Sequence, residues 1–232
     1  MSAVTVVITT HNREDYLKKC IDSILLQSYK NFSIIVISDG KFSDTNDLIE
    51  SFANKNITLI SNNHTGLPAV SRNIGIELAS TEYICFCDDD DVWYSDKLAD
   101  QMNIMKQKNA TLVSSFADYI DSYGNVIFNN PGVIFNYYNL FLRLNKYFLY
   151  VKNYICLSSI MIRTDIAKKV LFNESIDFRG SEDYLFILNV LQLKQNFELI
   201  KKVHVGYRIH NNNLSSNLLS GYLRSIQILK IT

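Results

Sequence analysis

At 232 residues, with 47% hydrophobic and 20% charged side chains, the chain is long enough to bury a sizeable core and too apolar to be intrinsically disordered. Its 23 basic and 23 acidic side chains cancel, so no global electrostatic attraction draws it to nucleic acid. The balance is uneven along the chain: residues 1–116 carry 10 Lys and Arg against 15 Asp and Glu, residues 117–232 carry 13 against 8, and the halves are expected to do different jobs.

Val4 to Thr10 is a β-branched run without polar alternation, which predicts a strand buried on both faces and hence a parallel sheet. Tyr16, Leu17, Cys20, Ile21, Ile24 and Leu25 then recur at spacings of three and four, the stripe of an amphipathic helix. Phe32 to Ile37 predicts a second strand, Asp44 to Phe52 a helix and Ile57 to Ile60 a third strand. Pro68 to Ala79 predicts a helix with Pro in its first turn and Val70, Ile74 and Leu78 at four-residue spacing. Tyr83 to Cys87 is a fourth strand that runs directly into four aspartates. The second half is less regular. Ser95 to Lys108 and Glu182 to Leu193 predict helices; Thr111 to Asp121 and Val126 to Asn129 predict a hairpin about Tyr123-Gly124-Asn125; Ser158 to Ile162 and Glu198 to Ile209 predict extended chain.

Three strand–helix repeats and a fourth strand are the pattern of a doubly wound α/β domain, which binds ligands at the carboxyl ends of its strands. There the loops are polar: Thr10-His11-Asn12, Ser38-Asp39-Gly40, Asn62 to Gly66 and Asp88 to Asp91. Neither GxGxxG nor GxxxxGK[ST] occurs, which argues against a dehydrogenase or P-loop kinase. Four adjacent carboxylates need an offset for their repulsion. In extended chain Asp88 and Asp90 would point the same way, a pair suited to a hard divalent cation; the alternative is a solvated acidic turn. Cys20, Cys85, Cys87 and Cys156 show no CxxC pairing and are expected as buried thiols. No stretch approaches the roughly 18 consecutive apolar residues of a membrane span, and no secretory signal opens the chain, so a cytoplasmic location is expected.

Thr9-Thr10-His11-Asn12-Arg13, Ser38-Asp39-Gly40, Ser71-Arg72-Asn73-Ile74-Gly75 and Phe86 to Trp93 followed by Asp96-Lys97-Leu98, taken in order, resemble the family 2 glycosyltransferases of the GT-A fold. Arg179-Gly180-Ser181-Glu182-Asp183-Tyr184 is similar to that family's Glu-Asp motif, and Tyr207-Arg208-Ile209-His210 with Asn213 and Ser215 to the ending of its bacterial polysaccharide members. The resemblance spans about Val4 to Ser215. It implies a Rossmann-like, mostly parallel sheet flanked by helices, in one domain over residues 1–232. Residues to about 121 would form the nucleotide-sugar half, with a smaller acceptor-binding region beyond. It implies further that Thr10, Asn12, Asp39, Arg72, Asp88 and Asp89 form the donor-side set, with Asp88 and Asp90 as the DxD pair and His210 as a further ligand of Mn²⁺ or Mg²⁺. Asp183 would be the general base of an inverting transfer, and Glu182 would position the acceptor. The expected partners are a nucleotide-sugar, best a UDP-sugar, and a glycan or lipid-linked glycan.

Each of these residues has a plainer reading: Arg72 as a helix-surface ion pair, Glu182 and Asp183 as acids favoured at a helix start, His210 as a surface residue, Trp93 as a core anchor rather than a sugar platform. Thr9 stands where many relatives have Pro and Ser38 where they have Asp, and no Gln-x-x-Arg-Trp occurs, which points to transfer of a single sugar. The aromatic and basic segment from Phe135 to Tyr154, and the stripe of Leu218, Tyr222, Ile226 and Leu229, suit a peripheral membrane contact, core packing or a homodimer face. The rival functions are a nucleotidyltransferase and a non-catalytic sugar-nucleotide-binding subunit.

Overall fold

The computed structural model describes residues 2–40, 42–128, 155–193 and 196–210. The membrane or dimer segments anticipated at Phe135 to Tyr154 and Leu218 to Leu229, and the motif residues Asn213 and Ser215, lie outside the described residues.

Strands β1 (Val4–Thr10), β2 (Phe32–Ser38), β3 (Ile57–Ser61) and β4 (Tyr83–Asp88) alternate with helices α1 (Glu14–Leu25), α2 (Phe42–Ser51) and α3 (Pro68–Leu78), as the apolar periodicity requires. They pair in parallel in the order β3-β2-β1-β4. Each inner strand is covered on both faces. Val6 and Ile8 of β1 pack with Leu17, Ile21 and Ile24 of α1, whereas Val7 faces Ile76 of α3 and Phe86 of β4. Burial on both sides is why the strand shows no polar alternation. Each such fully buried aliphatic side chain contributes about 1.5–3 kcal/mol.

The inward face of α3 is not its stripe of Val70, Ile74 and Leu78. Leu78 is exposed and Val70 and Ile74 are half-buried, while Ala69, Arg72, Asn73, Gly75 and Ile76 turn inward. The cause is close packing. A Cβ on Gly75 would stand 2.3 Å from Val7 Cγ1, so only glycine lets the helix lie this near β1. Three polar residues are buried and each has a partner: Ser71 Oγ accepts from Asn62 Nδ2, Asn73 exchanges hydrogen bonds with the backbone of Phe172, and Arg72 reaches Glu182.

Beyond β4 the chain adds β5 (Val92–Trp93), α4 (Lys97–Lys108), β6 (Leu112–Ile120), β7 (Val126–Phe128), β8 (Met161–Arg163), α5 (Thr164–Val170), α6 (Glu182–Gln192) and β9 (Phe197–Arg208). The sheet continues from β4 through β8, β6, β9 and β5, with β7 hydrogen-bonded to β6 as the predicted hairpin. Pairing here is mixed: β8 is antiparallel to β4 and β6, and β9 is parallel to β6. The extended chain expected at Ser158 to Ile162 is instead a 3₁₀ turn, Leu157–Ser159, followed by β8. Ser158 and Ser159 use their hydroxyls to bond Asp91 and the Cys156 carbonyl, local competition that favours a turn over a ladder. Cys20, Cys85 and Cys87 are buried and Cys156 is partly buried, all as free thiols. Trp93 is a core residue, 3% exposed, with Lys97 Nζ 3.8 Å from its ring centre; it is not placed to stack on a sugar in the cleft. Among the described residues no helix is long and apolar enough to cross a membrane.

Candidate active site

The carboxyl ends of β1 to β4, the start of α6 and the end of β9 enclose a cleft of about 510 Å³. Thr10, Asn12, Asp39, Arg72, Asp88, Asp90, Glu182 and Asp183 all line it, so the parallel sheet collects at one edge side chains separated by as many as 173 positions, from Thr10 to Asp183. Asp89 does not.

The four aspartates are held by four sets of partners. Strand β4 ends at Asp88, and the chain turns there, with the Asp91 N–H donating to the Asp88 carbonyl. The extended course expected for this stretch is therefore replaced by a turn, yet Asp88 and Asp90 still share the cleft while Asp89 and Asp91 face inward. Arg72 Nη2 donates to Asp88 Oδ1 at 2.8 Å. Arg13 spans the next two, with Nη1 2.8 Å from Asp90 Oδ2 and Nη2 2.6 Å from Asp89 Oδ1. Thr10 Oγ1 donates to Asp89 Oδ2 at 2.7 Å. Asp91 accepts from Ser158 Oγ and from the Arg208 N–H, and the Arg208 guanidinium donates to the Asp90 carbonyl. Burial pushes the Asp89 carboxyl up to about 7 against the pull of Arg13, and raises Asp91 well above the carboxylate range. This network, not solvation, offsets the repulsion of the run. Arg13 and Arg208 were not assigned a role from sequence; both lie inside motifs of the resemblance, but the groups their guanidiniums meet, the Asp89 and Asp90 carboxylates for Arg13 and the Asp90 and Asp121 carbonyls for Arg208, are 76 or more positions away.

His210 sits beside Asp90, with Nε2 3.0 Å from Oδ2, and its ring stacks on Tyr16 at 5.4 Å. Asp88 and Asp90 line the cleft and His210 adjoins Asp90 without lining it, so the three are not drawn into one ligand cluster, although two carboxylates and an imidazole are donor types that a divalent cation accepts. On the opposite wall, Glu182 Oε1 accepts from Arg72 Nη1 at 2.7 Å and Oε2 from the Gly180 N–H at 2.5 Å, fixing the first turn of α6. Arg72 is 6% exposed, which excludes a helix-surface ion pair; burial works against its charge, but Asp88 and Glu182 hold it protonated. Asp183 borders the cleft, and burial together with the neighbouring Glu182 charge pushes its carboxyl up to about 7, Arg72 opposing. A carboxyl raised to that range is half-ionised near neutral pH.

Asp39 accepts four hydrogen bonds from the loop after β3, including the Thr65 and Gly66 N–H groups at 2.9 and 2.8 Å. Gly66 takes φ +68° in that loop. Two further cleft residues had no role assigned from sequence. His64 meets Asp39, and Arg179 lines the cleft as an exposed guanidinium without an ion pair among the described residues, whereas Arg13 and Arg72 are both committed to carboxylates.

The parallel sheet edge carries a carboxylate pair, two guanidiniums bound to carboxylates and an acid on a facing helix, and the fold that collects them is shared by solved structures. The chain superposes on Staphylococcus aureus TarS in complex with UDP-GlcNAc with a TM-score of 0.75 at 20% identity, covering 93% of this chain and 61% of that one. The mannosyltransferase PcManGT from Pyrobaculum calidifontis, in complex with GDP-Man and Mn²⁺, gives a TM-score of 0.71 at 15% identity, covering 97% of this chain and 64% of that one. The chain spans about three fifths of TarS residues 1–349 and of PcManGT, and at such identities the likeness establishes the GT-A fold alone.

The family model for glycosyl transferase family 2 matches residues 5–171, and the chain belongs to that family of glycosyl-transferring enzymes. Among curated relatives, the Escherichia coli UDP-Glc:alpha-D-GlcNAc-diphosphoundecaprenol beta-1,3-glucosyltransferase WfaP is 28% identical over 99% of this chain and 86% of its own length. A second Escherichia coli UDP-Glc:alpha-D-GlcNAc-diphosphoundecaprenol beta-1,3-glucosyltransferase, WfgD, is 28% identical over 97% of this chain and 85% of its own length.

Proposed function

We propose that this protein is a metal-dependent, inverting glycosyltransferase that moves one sugar from a UDP-sugar to a hydroxyl of a lipid-linked glycan. The observation that carries the reading is that Arg72 joins the two walls of one cleft, Asp88 on the strand-end side and Glu182, next to Asp183, on the helix side. The names of WfaP and WfgD support the UDP-sugar and the diphospholipid acceptor.

In this reading the nucleotide lies against Asp39 and the ends of β1 and β2, and its diphosphate extends toward Asp88 and Asp90. Those two carboxylates with His210 would hold Mn²⁺ or Mg²⁺. When bound, the ion supplies positive charge against the developing negative charge of the leaving diphosphate. Asp183 takes the proton of the acceptor hydroxyl as its oxygen attacks the anomeric carbon from the face opposite the leaving group, so the configuration inverts. Glu182, pinned by Arg72 and the Gly180 N–H, fixes the helix end that presents Asp183. Asp89 acts at one remove, by holding Thr10 and Arg13 in place.

The test is transfer from a panel of sugar nucleotides to a synthetic GlcNAc-diphosphopolyprenol. The expected result is release of UDP and a product of inverted anomeric configuration. Release of pyrophosphate would establish the nucleotidyltransferase rival, and donor binding without turnover on any acceptor the non-catalytic one.

A further inference from the structure

Strands β3, β2 and β1 are neighbours in the sheet, and the loop after each brings one side chain to a common point: His64, Asp39 and His11. One ligand atom from each lies within 4.8 Å of the others. His11 Nδ1 is 2.8 Å and His64 Nδ1 2.7 Å from the Asp39 carbonyl oxygen, and the two rings stack with centres 4.7 Å apart. The approach is built into the backbone. Gly40 follows Asp39 because a Cβ there would stand 2.4 Å from Asn12 Oδ1, and Asn12, at φ +52°, turns the chain directly after His11.

We propose that His11, His64 and Asp39 form a binding site for a borderline divalent cation of the Zn²⁺ class, separate from the Asp88 and Asp90 site, and that filling it excludes the nucleotide. Two imidazoles and one carboxylate are the donors such ions select, whereas Mn²⁺ and Mg²⁺ favour oxygen-rich sites. Asp39 has capacity for it. Oδ1 accepts from Asn62, the Thr65 N–H and the Thr65 hydroxyl, but Oδ2 accepts only from the Gly66 N–H among the described residues, and His64 Nδ1 stands 3.5 Å from Oδ2. On binding, each imidazole carries its proton on Nε2 and offers the Nδ1 lone pair, and the stacked rings fan apart by side-chain rotation, which their exposure permits. The exclusion rests on the donor reading above, in which Asp39 contacts the nucleotide.

Titrating Zn²⁺ calorimetrically into the full chain with Mg²⁺ in excess tests the site. The double variant His11→Ala/His64→Ala should lose one equivalent, or bind it at least about tenfold more weakly, whereas His210→Ala should keep that equivalent whatever it does to the Asp88 and Asp90 site. Unchanged affinity in the double variant, or a loss confined to His210→Ala, would overturn the site. UDP added with Mg²⁺ should weaken Zn²⁺ binding, and Zn²⁺ affinity that ignores bound UDP would overturn the exclusion. Failure of UDP to bind the zinc-free protein would instead overturn the donor reading, with the Zn²⁺ affinities of parent and variants still deciding the site.

Discussion

Arg72 and Glu182, 110 positions apart, meet as a buried ion pair at 2.7 Å, and the same guanidinium holds Asp88 at 2.8 Å. One side chain on α3 therefore sets the distance between the strand-end carboxylates and the helix that carries Asp183. A planar fork with two partners in fixed directions is a task for arginine and not lysine.

Replacing Arg72 leaves Glu182 buried without its counter-charge. Arg72→Met should lower unfolding free energy by about 3 kcal/mol or more, and Arg72→Lys should recover only part of it. Urea denaturation followed by circular dichroism measures both. In Arg72→Lys, if it folds, the donor KM should rise more than kcat falls. Equal stability of parent and Arg72→Met would show that the pair holds nothing together.

As the proposed base, Asp183 would have to be ionised to accept a proton, so kcat should climb about tenfold per pH unit on the acid side and level off above about 7. Asp183→Asn should bind UDP normally and lose transfer by about 10² or more. Asp183→Glu should also be slow, since a shift of the carboxylate by about 1 Å can cost roughly 10²-fold. Near-parental kcat in Asp183→Asn would move the role to Glu182.

The same group makes a stability prediction of opposite sign. Its carboxyl is raised in the folded chain, so the fold binds this proton more tightly than the unfolded chain does, and stability falls as pH rises from the ordinary carboxylate range through about 7. Asp183→Asn carries no charge to bury. It should need more urea to unfold than the parent at pH 8, and the difference should shrink toward pH 4.

Asp90→Ala should abolish most activity and weaken UDP binding in Mn²⁺ while leaving binding in EDTA unchanged. Calorimetry under both conditions checks this, and full transfer in EDTA would remove the metal from the reaction.

Arg179 is the cleft guanidinium without a carboxylate partner among the described residues. A diphosphate entering a cleft lined by five carboxylates needs such a charge. Arg179→Ala should raise the KM for a diphosphate-bearing substrate about tenfold with little change in thermal stability. Steady-state kinetics with donor and acceptor varied in turn will show which diphosphate it meets; unchanged KM for both would reduce it to a surface residue.

The β-branched run of β1, the stripe of α1 and the strand–helix alternation through β4 follow from the sequence by itself, because burial on both faces or on one leaves a period that can be read locally. The polar loops at the strand ends were legible for the same reason, and with them most of the residues that line the cleft. Only the tertiary structure decided the partners. Asp89 has the same chemistry as Asp88 and Asp90, yet a turn and the reach of Arg13 and Thr10 remove it from the cleft. The inward face of α3 was set by the contact of Gly75 with Val7 and by the buried partners of Arg72 and Asn73, not by apolar spacing. The convergence of His11, Asp39 and His64 arises because β3, β2 and β1 are adjacent in the sheet, and strand order is a property of the folded chain that no local period encodes.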